Sequence, residues 1–89
     1  MIEHDSQLQQ FALTHQGHIA RVVYTLHGST MTITHTQVPE AIGGQGIAAQ
    51  LTKAALEHAR SAGLEVVPAC SYTQSYLKRH PQFQDLVQD

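Results

Sequence analysis

The chain has 89 residues, a formal net charge of −2, 42 % hydrophobic and 13 % charged residues, one cysteine and no tryptophan. That length supports a single domain, residues 1–89, which buries only about 60 % of its unfolded surface and so has a modest core. One cysteine excludes an internal disulfide framework and a multi-cysteine zinc site, and the near-neutral charge leaves no electrostatic footprint for nucleic acid. No apolar run approaches the roughly 20 residues of a membrane span. Met1-Ile2-Glu3-His4-Asp5 lacks the basic-then-apolar order of a signal peptide, so a soluble, cytoplasmic domain is expected.

Residues 1–7 are polar and are expected to fray. Gln9, Phe11 and Leu13 alternate with polar or small neighbours, as in a half-buried strand, and His15-Gln16-Gly17 reads as a turn. His18–His27 is a second strand with apolar groups on both faces, which suggests an interior position. Gly28-Ser29 turns the chain into a third strand, Thr30–Val38. These three strands predict an antiparallel meander. In the third, Met31, Ile33 and His35 share a face, yet the next apolar residue is Val38 rather than residue 37. Either a β-bulge lies between His35 and Val38 or the strand ends at Thr36.

After Gly43-Gly44-Gln45-Gly46, Ile47, Leu51, Ala55 and Ala59 fall at helical spacing as far as Ala62, and Gly63 closes that helix. Leu64–Val67 is a short strand stopped by Pro68. Ser71-Tyr72-Thr73-Gln74 fits a capping box opening a second helix to His80, before Pro81. A last turn from Phe83 to Val87 is expected to pack back on the body. The order β-β-β-α-β-α predicts a layered α+β or α/β domain.

Two places carry candidate chemistry. Gly43-Gly44-Gln45-Gly46-Ile47-Ala48 stands at a helix start, where unpaired N–H groups and the helix dipole favour a phosphate or pyrophosphate. No Lys-Ser/Thr pair follows, so this is not a P-loop, and the preceding antiparallel strand does not suit a dinucleotide fingerprint. The plain alternative is a flexible connection. Cys70 lies just before a helix N-terminus, a position that favours thiolate; it is otherwise a small buried hydrophobe. Tyr72 and Tyr76 share a helix face, as general-acid candidates or as packing. The seven histidines at 4, 15, 18, 27, 35, 58 and 80 are dispersed, and no metal site is expected.

Together, His35-Thr36-Gln37-Val38-Pro39, Gly43-Gly44-Gln45-Gly46-Ile47-Ala48 and Pro68-Ala69-Cys70-Ser71-Tyr72 resemble the small stand-alone branch of the GNAT N-acetyltransferase superfamily, from about Phe11 to Leu86. The resemblance implies a compact GNAT-like fold that binds acetyl-CoA. The strand ending near Val38, with Thr36 and Gln37, would splay from its neighbour and pair with the pantetheine arm. The amides of Gly44 to Ala48 would hold the pyrophosphate. Gly43 stands where the superfamily has Arg or Gln, which removes a side-chain contact and keeps the backbone cradle.

The resemblance also places Cys70 near the thioester, with Tyr76 or Tyr72 as proton donor to the leaving thiolate. His35 is a base candidate or a residue hydrogen-bonded in the sheet. The implied activity is acetyl transfer from acetyl-CoA to an unknown amine acceptor, small molecule or protein, directly or through Cys70. A non-catalytic CoA or acyl-CoA binding module is the alternative. No nucleic acid or membrane partner is expected, and the chain is expected to be a monomer or weak homodimer.

Overall fold

A computed structural model describes Met1–Val87. Its strands are β1 (Ile2–Asp5), β2 (Gln10–His15), β3 (His18–His27), β4 (Thr30–Gln37) and β5 (Glu65–Pro68), with helices α1 (Ile47–Ala62) and α2 (Ser71–Arg79). One five-stranded sheet runs in chain order, antiparallel from β1 to β4 and parallel between β4 and β5.

The sheet has one dry face. Phe11, Leu13, Ala20, Val22, Tyr24, Met31, Ile33 and Val66 are buried against Leu51, Ala55, Leu56 and Ala59 of α1 and Tyr76 and Leu77 of α2. Alternation sends Ile19, Thr25 and Val67 to the opposite face. β3 is therefore interior in strand order but covered on one side only. α1 ends as its sequence predicts: Gly63 takes φ +71, and Leu64 N–H returns to Ala59 C=O at 2.8 Å. A short 3₁₀ turn, Pro81–Leu86, buries Phe83 and Leu86, and Val87 bridges to Val66.

Four expectations are corrected. Ile2–Asp5 is a paired edge strand rather than an unstructured arm: Ile2 pairs with Leu13, His4 stacks on Phe11 at 4.1 Å, and Asp5 accepts hydrogen bonds from Gln7 and Leu8 N–H at 3.0 Å. A local Asp-anchored turn and an aromatic stack thus turn a polar stretch into an edge strand. The bulge exists, but earlier than expected. Val23 pairs with His35 and Tyr24 with Ile33, so Thr34 is the extra residue, its hydroxyl donating to Val23 C=O at 3.2 Å. The capping box does not form, because Cys70, not Ser71, is the N-cap; Gln74 Nε2 instead donates to Pro68 C=O at 2.9 Å. The histidines are not all dispersed: His4 hydrogen-bonds the Tyr24 hydroxyl and meets the His58 ring edge-on at 4.4 Å. No three metal-ligating side chains converge among the described residues.

Candidate active site

The bulge positions the site. β4 pairs with β5 only as far as Ile33–Pro68, while Thr34–Gln37 runs on beside β3 alone. Ala69 and Cys70 N–H both donate to Ile33 C=O, at 3.0 and 3.1 Å, which turns the chain into α2 just where β4 and β5 part. The edge of Thr34–Gln37 is left facing the space between β4 and the start of α2. Backbone groups there are free to pair with an extended ligand.

The extra residue also exchanges faces. Thr36, opposite buried Val22, points to the inner face, and its hydroxyl lies 3.5 Å from Cys70 Sγ. His35, opposite Val23, turns to the outer face, where it is exposed and its Nδ1 lies 3.0 Å from Thr34 Oγ1. The structure therefore does not bring His35 to the thiol. An unslipped strand alternation had put it with Met31 and Ile33.

Beyond Gln37 a cleft of about 400 Å³ opens, lined by Val38, Glu40, Ile42 and the glycine loop, with Ala48, Ala49 and Tyr72 on its far side. Gly44 and Gly46 both have φ +75, and nothing stands within 4 Å of where a Cβ would project from either. Glycine is required there by conformation. Gly43 has φ −70 and needs no such freedom. The first helical bond of α1 runs from Gln50 N–H to Gly46 C=O, and no acidic side chain sits in its first turn. The N–H groups of Ile47, Ala48 and Ala49 thus precede the helical ladder without partners among the described residues. The bare backbone and unpaired donors fit a pyrophosphate.

Cys70 is half-buried at the N-cap of α2. Burial alone would push its thiol up. The Thr36 hydroxyl, 3.5 Å from Sγ, and the nearby backbone N–H groups of Thr73 and Tyr72 at the start of α2 outweigh that and hold the thiol below its ordinary value. Thr73 Oγ1 is fully buried and makes no well-formed hydrogen bond of its own.

The two tyrosines separate. Tyr72 lines the cleft, whereas Tyr76 is 3 % exposed and stacks on His80 at 3.9 Å. Tyr76 belongs to the core, and its hydroxyl is held above the usual phenol value chiefly by burial. Glu40 in the cleft lining, and Thr36 acting through its hydroxyl rather than its backbone, were not signalled by any sequence pattern. A larger open groove of about 570 Å³ lies along Lys53, Glu57, Arg60 and Phe83, but it has neither a thiol nor a bare glycine backbone.

The model of the GCN5-related N-acetyltransferase family matches residues 10–86. The chain belongs to that family. Protein NATD1 of Mus musculus is 39 % identical over 83 residues, covering 90 % of this chain and 76 % of its own length. Protein NATD1 of Homo sapiens is 37 % identical, covering 90 % and 74 %. Among solved structures, a GCN5-like protein of Staphylococcus aureus determined by NMR has a TM-score of 0.77 and 27 % identity, over 99 % of this chain and 87 % of that one. The matched ranges span both the glycine loop and Cys70. Among the described residues no helix is long and apolar enough to cross a membrane.

Proposed function

We propose that this GCN5-related domain transfers acetyl from acetyl-CoA to an amine, with the pyrophosphate held by the amides of Gly44 to Ala48 and the thioester brought to Cys70. The reading is carried by one observation: the cleft that begins at a bare glycine backbone is lined by Val38 and Tyr72, each two residues along the chain from Thr36 and Cys70, whose hydroxyl and thiol meet at 3.5 Å. Acetyl-CoA would supply an activated acyl group on a good leaving thiolate. The open edge of β4 from Thr34 to Gln37 would pair with the pantetheine arm and fix its depth.

Cys70 is suited to accept the acyl group because its thiolate is favoured at lower pH than that of an ordinary thiol. Its Sγ would form the new bond to the carbonyl carbon as the bond from that carbon to the CoA sulfur breaks. Tyr72 would give its phenolic proton to the departing CoA thiolate. The amine nitrogen would then bond to the carbonyl carbon as the bond from that carbon to Sγ breaks, its surplus proton returning to Tyr72 and Cys70 leaving as thiolate. A non-catalytic acyl-CoA binding module is the second reading, favoured by the position of His35, a candidate base, on the far face of the sheet.

Calorimetry with acetyl-CoA, intact mass after mixing, and amine-dependent thiol release separate these. Binding, a transient acetyl adduct lost in Cys70→Ala, and thiol release that rises with added amine are expected. Binding with neither adduct nor release across a panel of amines would leave the binding module. No binding would end both readings.

A further inference from the structure

Between Ile42 and Ile47 the glycine loop has one side chain, that of Gln45. Gly44 and Gly46 hold left-handed backbone with open space around them, so packing does little to fix the segment. A cleft of about 290 Å³, lined by Leu13, Thr14, Ile47 and Gln50 among others, separates the loop from the β2–β3 hairpin. One hydrogen bond crosses between these two parts: His15 Nε2 lies 2.9 Å from Gln45 Oε1. A carbonyl oxygen only accepts, so the imidazole N–H is the donor. The donor side is itself well anchored. His15 is the last residue of β2, paired with His18 across a two-residue turn in which Gln16 and Gly17 have φ +52 and +78.

We propose that His15 is a positioning residue for the glycine loop, acting through Gln45 to hold residues 43–46 in the shape that presents the first amides of α1. A loop of three glycines would otherwise have to be ordered by the ligand, which lowers affinity; a latch made before binding removes part of that cost. The affinity half of this inference rests on the acetyl-CoA reading above, and the loop-order half does not.

The experiment is ¹⁵N relaxation on the full chain without ligand, for wild type, His15→Ala, Gln45→Ala, the double variant and His15→Gln, with calorimetry against acetyl-CoA alongside. The amides of Gly44 to Gly46 are expected to fall from order parameters of about 0.85 to below about 0.6 in either single alanine variant, and no further in the double. His15→Gln, which keeps an N–H donor, is expected to restore them. Acetyl-CoA affinity is expected to fall about 3- to 10-fold, all of it entropic, with the melting temperature unchanged. Unchanged loop order in His15→Ala, or additive losses in the double variant, would overturn the latch. Wild-type protein that gives no heat with acetyl-CoA would overturn the functional reading instead, with the relaxation data still deciding the latch.

Discussion

Gly46 and Gly63 offer a matched pair that separates folding from binding. Gly46 caps the start of α1 with φ +75, Gly63 closes its end with φ +71, and neither has any atom within 4 Å of where a Cβ would project. Alanine at either position clashes with nothing and meets only the left-handed backbone penalty of about 1–2 kcal/mol. In a domain of this size that lowers the melting temperature by about 4–8 °C for each kcal/mol. The two variants should therefore lose similar stability. Only Gly46→Ala puts a methyl group beside the unpaired amides of Ile47 to Ala49. Losing one charge-assisted bond to a phosphate costs about 1.5–3 kcal/mol, or roughly a 10- to 100-fold rise in Kd. Thermal melts and calorimetry with acetyl-CoA on both variants make the comparison. Equal affinity in Gly46→Ala and wild type, or equal weakening in Gly63→Ala, would refute the anion cradle.

Other consequences are open to similar tests. Thr36→Val should slow alkylation of Cys70 at pH 7 about 3-fold and move the midpoint of its pH–rate curve upward, with Thr36→Ser retaining wild-type behaviour; an unmoved midpoint would remove Thr36 from the thiol. Gly43→Arg should fit, since Gly43 has φ −70 and its Cβ would meet only Glu40 O, at 3.4 Å, and Pro39 O, at 4.0 Å; it should tighten acetyl-CoA binding several-fold in a salt-sensitive way, as measured by titration at two ionic strengths. His4 is held below its ordinary value of 6.5 by burial and by His58, against a smaller opposing pull from Asp5. Its unfolded form therefore takes up a proton first, so stability is full above about pH 6.5 and is lost as pH falls through the lower folded value. Denaturant titrations from pH 5 to 8 should show that slope in wild type and a flatter one in His4→Phe, which keeps an aromatic ring on Phe11.

Where one interaction dominates locally, the sequence was enough. The apolar spacing of Ile47, Leu51, Ala55 and Ala59 marked α1 and its buried stripe, and Gly63 marked its end. Three glycines before a helix marked a loop that needs glycine's conformational freedom, and Gly44 and Gly46 do take left-handed backbone there. What stayed hidden depends on partners distant in the chain. β1 needs Phe11 and Leu13 to hold His4 and Ile2, and nothing in residues 1–7 alone announces that pairing. The phase slip in the third strand was visible, but Met31, Ile33 and Val38 could not say which residue between them bulged. Placing the slip at Thr34 reverses the faces of His35 and Thr36, taking a candidate base away from the thiol and supplying a hydroxyl to it. Tyr72 and Tyr76 were equivalent by spacing; only the packing of His80 and Phe83 around Tyr76 tells them apart.

Titration of ¹⁵N-labelled chain with acetyl-CoA, followed by amide shifts, asks most directly whether α1 gathers the phosphates and so brings the thioester to the thiol. Shifts concentrated at Gly44, Gly46, Ile47 and Ala48, and continuing through Thr36 to Cys70, are the predicted result. Shifts confined to the groove along Lys53, Glu57 and Phe83, or none at saturating ligand, would contradict it.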